Sequence, residues 1–188
     1  VEVRYTDRIL KVYHQGELQA VHAIAGPARF VRERRGVMLI GPGGVGKSHI
    51  AIALVAAITA GHTALHVSAF DLVGDLAQAE ATGERDELVR ELSGVELLVL
   101  EDLGMKRFPA GAAEYLLEIF FRRYEKASTI VTTNRPIEDW GKVLGDAAAA
   151  GALLDRFLHH AEVITITGPS YRLHERKRKG LEIPEIKE

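Results

Sequence analysis

A glycine-rich segment at residues 41–48, GPGGVGKS, constrains the fold of this chain more than any other feature. The apolar run Val37–Ile40 precedes it, and from Lys47 apolar residues recur at helical spacing until Gly61. Glycines permit positive φ and close backbone approach, so successive N–H groups can surround phosphate oxygens at the start of the helix. A strand, such a loop and a helix in this order predict a phosphate-binding loop for ATP with Mg²⁺.

The whole loop is predicted to contact the nucleotide. Lys47 would bring an ammonium group to the β- and γ-phosphates, and Ser48 would offer a hydroxyl to Mg²⁺. The alternative, a glycine-rich turn that matches the pattern by chance, is disfavoured by the flanking strand and helix. The predicted nucleotide-binding residues are Gly41, Pro42, Gly43, Gly44, Val45, Gly46, Lys47 and Ser48.

Strand-like and helix-like segments alternate along most of the chain. Five largely apolar runs predict strands at 37–40, 62–68, 95–100, 129–132 and 162–167. Helical patterns occupy 47–60, 69–81, 84–92, 112–124, 136–144 and 147–159. Alternation of this kind favours right-handed crossovers, so the predicted fold is α/β, a doubly wound parallel five-stranded sheet.

Residues 1–36 are expected to form an N-terminal arm, with short helical patterns at 17–24 and 27–35. Since the chain begins with Val and not Met, we expect this arm to be the remnant of, or a linker to, a further N-terminal region. The predicted core covers 37–173. A tail that is first basic and then acidic covers 174–188.

Composition excludes several classes of function. The chain has no cysteine, which removes disulfides, thiol catalysis and thiolate metal sites. Its formal net charge is −2, so any nucleic-acid surface must be a local basic patch. The longest nearly unbroken apolar run, Ile50–Ala60, is too short to span a bilayer, and no signal peptide is visible. We therefore expect no membrane association and a cytoplasmic location.

Two carboxylates follow the third predicted strand. Glu101 and Asp102 come directly after the apolar run Leu97–Leu100. In open α/β sheets this end of a central strand lies beside the phosphate loop, so one carboxylate can hold the metal through water while the other polarises the attacking water. A solvated strand-to-loop boundary is the alternative. The phosphate loop about fifty residues upstream favours the metal and water roles.

The fourth predicted strand ends in the polar sequence Thr132-Thr133-Asn134-Arg135-Pro136. A polar side chain here could hydrogen-bond the γ-phosphate or the hydrolytic water, and Asn134 is the candidate. Because Asn and Pro are also turn residues, the same sequence is compatible with a simple turn.

Arg156 interrupts an otherwise apolar helical pattern, LLDRFL at 153–158. It could form a surface pair with Asp155. Alternatively it could act as an arginine finger that reaches the nucleotide of a neighbouring subunit. Spacing alone does not favour the second interpretation.

Two basic groups, at 29–35 and at 171–179, are candidates for DNA phosphate contacts, although such runs are usually solvated. His159 and His160 adjoin, but neither acidic nor cysteine partners lie near them at metal-ligand spacing in the sequence. They are interpreted as a helix cap or as packing residues.

Together these motifs resemble the IstB-like ATPases, helper proteins of bacterial insertion-sequence transposition that are related to DnaC helicase loaders and DnaA-type initiators of the AAA+ class. The resemblance covers about 37–173. It rests on GPGGVGKSHIAIAL at 41–54, LLVLEDLG at 97–104, RRYEKASTIVTTNRPIEDW at 122–140, GALLDRFLHH at 151–160 and GPSYRL at 168–173.

The resemblance implies a role for each candidate residue. Residues 41–48 would be Walker A, Glu101 and Asp102 Walker B, Asn134 the sensor-1 residue, Arg156 the arginine finger and Arg172 a second nucleotide-sensing arginine. The family usually begins Walker B with Asp, whereas Glu101 stands first here. Which carboxylate holds the metal and which activates water therefore stays open.

The resemblance further implies an ATP-dependent, DNA-associated AAA+ ATPase that forms a homo-oligomer, hydrolyses ATP between subunits and assists a transposase. A DnaC-like helicase loader, with a replicative helicase as its partner, is the alternative. A small-molecule P-loop kinase is a third possibility, but it would need an acceptor site and usually an arginine-rich lid.

Overall fold

A computed structural model describes residues 2–5, 9–14, 17–23, 36–58 and 62–179, whose strands form two sheets. The strands are β1 (Glu2–Tyr5), β2 (Ile9–His14), β3 (Glu17–Ala23), β4 (Gly36–Ile40), β5 (Ala64–Ser68), β6 (Leu97–Glu101), β7 (Ser128–Thr133) and β8 (Ala161–Thr165). The helices are α1 (Lys47–Ile58), α2 (Ala69–Thr82), α3 (Arg85–Gly94), α4 (Ala112–Arg123), α5 (Trp140–Leu144), α6 (Ala147–Leu158) and α7 (Tyr171–Arg178), with a 3₁₀ turn at Ile137–Asp139.

The larger sheet has five parallel strands in the order β5-β6-β7-β4-β8. The chain runs from β4 out to β5, returns through β6 and β7, and then crosses to the far side of β4 to form β8. The predicted α/β fold with a parallel five-stranded sheet is therefore confirmed. Because β4 lies where the crossing direction changes, the crevice beyond its carboxyl end is the expected ligand position.

The central strands β4 and β6 are covered on both faces, which explains why they are nearly continuous apolar runs. In β4, Val37 and Leu39 pack on one face with Ile50 of α1, while Met38 packs on the other. That second face carries the buried residues of α2 to α6, including Trp140, which is fully buried. A packed core on both sides fixes β4, and with it the loop that follows.

Arg123 is a buried cation at the end of α4. Its guanidinium donates hydrogen bonds to the carbonyl oxygens of Leu92 (2.7 Å), Val95 (2.8 Å) and Ser128, and to the Thr129 hydroxyl (3.0 Å). Burial lowers the pKa of Arg123 to about 10, so it stays charged at neutral pH. This side chain joins α3, α4 and β7 near the amino end of the sheet.

The structure corrects the sequence analysis in two places. Residues 17–23, predicted as a helix, form strand β3, which pairs antiparallel with β2 in a sheet of order β1-β2-β3. Two residues separate β2 from β3, a spacing typical of a hairpin, and cross-strand hydrogen bonding overrides the weak helical pattern. The helix predicted at 27–35 lies outside the described residues.

The second correction concerns the basic segment that begins at Tyr171. No helix was predicted there, but 171–178 form helix α7, which spans the predicted boundary between core and tail at 173 and 174. Ser170 begins this helix by accepting hydrogen bonds from Leu173 N–H and His174 N–H. The sequence missed this helix because its apolar face is narrow. Within the described ranges, no helix combines the length and apolarity needed to cross a bilayer.

Candidate nucleotide-binding site

The glycine-rich loop leaves the carboxyl end of β4 and is held between two neighbouring segments. Gly41 N–H donates to the Thr133 carbonyl oxygen (3.1 Å) at the end of β7, and Ile166 N–H donates to the Ile40 carbonyl oxygen (2.7 Å) after β8. A Cβ on Gly41 would lie 2.2 Å from the Ile166 carbonyl oxygen. Glycine is therefore required at position 41 by the space available.

Lys47 lies at the first position of α1 with only 6% of its surface exposed. Its Nζ donates to the carbonyl oxygens of Gly41 (2.6 Å) and Pro42 (2.9 Å), so the ammonium group is directed back over the loop. Burial lowers the pKa of Lys47, an effect that Arg172 reinforces and that Asp102 and Glu101 oppose. An anion bound in the loop would offset the free energy that it costs to bury the charged ammonium group.

A cavity of about 240 Å³ opens above the loop. It brings together the loop, the end of β6 and the start of α7. Its lining residues are Gly43, Gly44, Gly46, Lys47, Ser48, His49, Asp102, Met105, Tyr171 and Arg172. The other loop residues do not line it: Gly41 and Pro42 supply carbonyl oxygens to Lys47, and Val45 is buried in the core.

The two carboxylates after β6 occupy different environments. Asp102 lines the cavity and has a φ of 54°, and its N–H donates to the Thr132 hydroxyl (2.9 Å). Glu101 is half-buried beside β5, with Oε2 3.2 Å from His66 Nε2. Its other oxygen, Oε1, is buried and has no hydrogen-bond partner among the described residues. An orphaned carboxylate oxygen at this position fits a site that takes a metal ion or its bound water.

Helix α7 is attached directly to the loop. Tyr171 N–H donates to the Gly44 carbonyl oxygen (2.9 Å), and a Cβ on Gly44 would lie 2.1 Å from Ser170 Oγ. Gly44 also has a φ of +84°, which glycine adopts without strain. As a result Arg172, the second residue of α7, lines the cavity close enough to influence Lys47. The sequence did not predict that Tyr171, His49 and Met105 border the same cavity.

Asn134 directly follows β7, but it is exposed and is not among the residues that line the cavity. The buried polar groups at this strand end belong to its neighbours. Thr132 accepts from Asp102, and the Thr133 hydroxyl donates to the Leu103 carbonyl oxygen (2.6 Å). These threonines connect β7 to the turn after β6.

Arg156 lies at the other end of the sheet. Its guanidinium lies over the rings of Phe121 (4.8 Å) and Tyr124 (5.2 Å), beside a hollow that Gly36 lines at the start of β4. Strand β4 spans five residues, about 13 Å, between this hollow and the phosphate loop. The structure therefore brings Lys47, Ser48, Asp102 and Arg172 together and leaves Arg156 apart from them.

This arrangement matches the chemistry of a nucleoside triphosphate. Residues of the glycine-rich loop, a buried ammonium group, a guanidinium and a hydroxyl border one cavity and can bind negatively charged oxygens, and the Asp102 carboxylate borders the same cavity. The residues present fit both a triphosphate and a divalent cation.

Comparison with known proteins agrees with this geometry. A family model described as IstB-like ATP binding protein matches residues 13–179. A Pseudomonas aeruginosa protein named for insertion sequence IS21 and ATP binding is 40% identical over 164 residues, which cover 87% of this chain and 62% of that protein. The chain thus spans less than two thirds of the length of this relative.

Two solved structures share the fold. A DnaC helicase loader has a TM-score of 0.63 at 24% identity, over 74% of this chain and 85% of the loader. A replication initiator DnaA, solved with AMPPCP and single-stranded DNA, has a TM-score of 0.61 at 21% identity, over 84% of this chain and 52% of the initiator. The five-stranded parallel sheet thus has the fold of these two proteins. With its phosphate loop, strand order and family match, this chain belongs to the IstB-like ATP-binding protein family.

Proposed function

We propose that this protein is an ATP-dependent, DNA-associated AAA+ ATPase that hydrolyses ATP between subunits of a homo-oligomer and assists a transposase in insertion-sequence transposition. The distance between Arg156 and the phosphate loop is the observation that carries this proposal. Because the length of β4 separates Arg156 from its own cavity, we infer that it would reach a bound nucleotide only in a second copy.

In the proposed cycle the Lys47 ammonium group gives up its hydrogen bonds to two loop carbonyl oxygens and donates to phosphate oxygens instead. The hydrogen bonds to Gly41 and Pro42 hold the ammonium group in place before the nucleotide binds. Because burial has already lowered its pKa, the incoming negative charge would stabilise the ammonium form. Arg172, carried by α7, adds a second positive charge at the cavity.

Magnesium, when bound, would neutralise charge on the β- and γ-phosphates. We assign Ser48 and Glu101 to holding it, the second through the oxygen that lacks a protein partner. Asp102 lines the cavity and would orient the attacking water. Asn134, on the neighbouring strand end, would reach that water or the γ-phosphate after a rearrangement of the loop that follows β7.

Arg156 would complete the site of the adjacent subunit. Stacking on Phe121 and Tyr124 limits the conformations of the guanidinium while leaving it exposed. This pre-organisation reduces the entropy lost when the side chain meets a phosphate. Hydrolysis would therefore depend on assembly, and separated subunits would turn over slowly.

Two observations support a role on DNA beside a transposase. The relative with 40% identity is named for an insertion sequence. Helix α7 runs from the cavity to Arg178 and is followed by Lys179, so this segment is rich in basic residues on a chain of net charge −2, although Lys179 pairs with Glu175. ATP bound near Arg172 could thus be coupled to contacts that α7 makes with DNA phosphates.

Sizing by light scattering, with and without ATP and duplex DNA at two salt concentrations, tests this function. We expect growth that requires both ATP and DNA and that weakens at higher salt, because released counterions drive phosphate contacts. A chain that stays monomeric under every condition would contradict the proposal. Co-purification with a replicative helicase in place of a transposase would replace the transposition role with helicase loading.

A further inference from the structure

A cluster of two histidines and a glutamate lies at the end of the sheet opposite the phosphate loop. Glu125 belongs to the turn between α4 and β7, whereas His159 and His160 connect α6 to β8. Ligand atoms of all three side chains lie within 4.8 Å of one another. More than thirty residues separate Glu125 from the histidines in the sequence, so only the fold brings these groups together.

The three side chains are already oriented toward each other. His160 Nε2 lies 3.1 Å from Glu125 Oε1, and the hydrogen bond between them lowers the pKa of Glu125. The two imidazole rings are 4.0 Å apart between centroids. The Tyr124 hydroxyl lies 2.6 Å from His159 Nδ1 and can hold that ring, as outer-shell partners hold metal ligands.

We propose that Glu125, His159 and His160 form a binding site for Zn²⁺, with water completing the coordination. Two imidazoles and one carboxylate are a known three-residue zinc ligand set. Tetrahedral zinc with bonds of about 2.0–2.2 Å needs ligand atoms roughly 3.4 Å apart, which small rotations of these exposed side chains supply. Imidazole ligands favour zinc over magnesium, which prefers oxygen.

Zinc at this point would connect two loops that feed strands on either side of β4. The turn at Glu125 leads into β7 and the turn at His160 leads into β8, while Gly36 N–H of β4 donates to the His160 carbonyl oxygen (3.2 Å). A metal that binds only this folded arrangement raises the unfolding temperature. The cluster also adjoins Tyr124, on which Arg156 stacks, so the metal would fix the surface that presents Arg156.

Titration calorimetry of the untagged protein with ZnCl₂, without nucleotide, tests this site. We expect one Zn²⁺ per chain and a higher unfolding temperature. The variants His159→Asn and His160→Asn should each weaken binding at least about tenfold, since even the loss of an outer-shell partner costs that much. Circular dichroism without metal confirms that both variants fold.

His62→Asn is the matched control. His62 forms the same kind of exposed pair with Glu96, at 3.0 Å, and no second histidine joins it among the described residues. We expect His62→Asn to bind zinc as wild type does. The proposal is overturned if wild type takes up no zinc, or if His159→Asn and His160→Asn bind it as tightly as wild type. The absorption of bound Co²⁺ gives a second measurement, and a spectrum of purely hydrated Co²⁺ would also overturn the site.

Discussion

The backbone N–H of Asp102 donates a hydrogen bond of 2.9 Å to the hydroxyl of Thr132, across the boundary between β6 and β7. Asp102 has a φ of 54°, a region that residues other than glycine seldom occupy. Leu103 N–H donates to the carbonyl oxygen of the same threonine (2.9 Å). One residue at the end of β7 thus holds the turn that presents Asp102 to the cavity.

Replacing Thr132 with valine should therefore disturb the candidate site. The substitution keeps the shape but leaves the Asp102 N–H without an acceptor, which should lower the free energy of unfolding by about 1–3 kcal/mol. ATP turnover should fall as well, because Asp102 loses its fixed position. Urea denaturation and phosphate release measure the two effects. Thr132→Ser keeps the hydroxyl and should retain turnover close to wild type, although it loses one buried methyl group. Equal losses of turnover in both variants would refute this role.

Lys47→Ala tests the phosphate loop. Hydrogen bonds to charged groups contribute about 1.5–3 kcal/mol each, so we expect ATP affinity to fall by about a hundredfold or more. Titration with a fluorescent ATP analogue provides the measurement. Lys106→Ala is the control, since Lys106 lies over the Phe70 ring outside the cavity. Wild-type affinity in Lys47→Ala would exclude the loop as the nucleotide site.

Arg156→Ala should leave ATP binding unchanged and remove assembly-dependent hydrolysis. Arginine fingers contribute a factor of about 10³–10⁵ to turnover. Nucleotide titration and steady-state phosphate release separate the two effects, and Asp155→Ala, the exposed neighbour, is the control. Turnover equal to that of wild type would eliminate the proposed role of Arg156.

Mixing two inactive variants tests whether Arg156 acts across subunits. In a mixture of Lys47→Ala and Arg156→Ala, some interfaces combine an intact phosphate loop from one chain with an intact Arg156 from the other. We expect part of the activity to return on mixing. Activity that stays absent, although both variants assemble, would argue that the two residues do not meet at an interface.

Arg123→Met should destabilise the fold strongly. The substitution removes a buried guanidinium and leaves the buried carbonyl oxygens of Leu92 and Ser128, and the partly buried one of Val95, with fewer donors, at a cost of about 3 kcal/mol or more. The control is Arg122→Met, where an exposed i,i+4 pair with Glu118 is lost, which costs at most about 1 kcal/mol. Similar urea midpoints for the two variants would contradict this account.

The pH dependence of stability should include a contribution from Glu96. The hydrogen bond from His62, followed by that from Thr63 N–H, lowers the pKa of Glu96 below its ordinary value of 4.5. At a pH between the lower folded pKa and the unfolded pKa of 4.5, the carboxyl group of Glu96 is more protonated in the unfolded chain than in the folded protein. The stability that Glu96 contributes is therefore present above pH 4.5 and is lost as pH falls through the folded pKa. Urea denaturation of wild type and Glu96→Gln at several pH values measures it, and a stability difference that grows toward acid pH would contradict it.

Local patterns in the sequence were sufficient to predict the strands at the centre of the sheet and the phosphate loop. The strands ending at Ile40 and Glu101 are buried on both faces, so they appear as apolar runs whatever their neighbours are. The phosphate loop was equally predictable, because its glycines and lysine must be contiguous to surround a phosphate. By contrast, β3 was wrongly predicted as a helix. Its strand conformation depends on hydrogen bonding to β2, and the local sequence pattern by itself is weak.

The sequence by itself determined the family, the α/β sheet and the nucleotide loop, because each depends on contiguous or periodic residues. Only the tertiary structure decided which distant groups meet. Helix α7 donates a hydrogen bond to Gly44, Asp102 donates one to Thr132, and Glu125 lies beside the two histidines. It also separated Arg156 from Lys47 by the length of β4. These relationships arise from strand order and from the turns between elements, and they leave no periodic signal in the sequence because each involves single contacts between residues far apart along the chain.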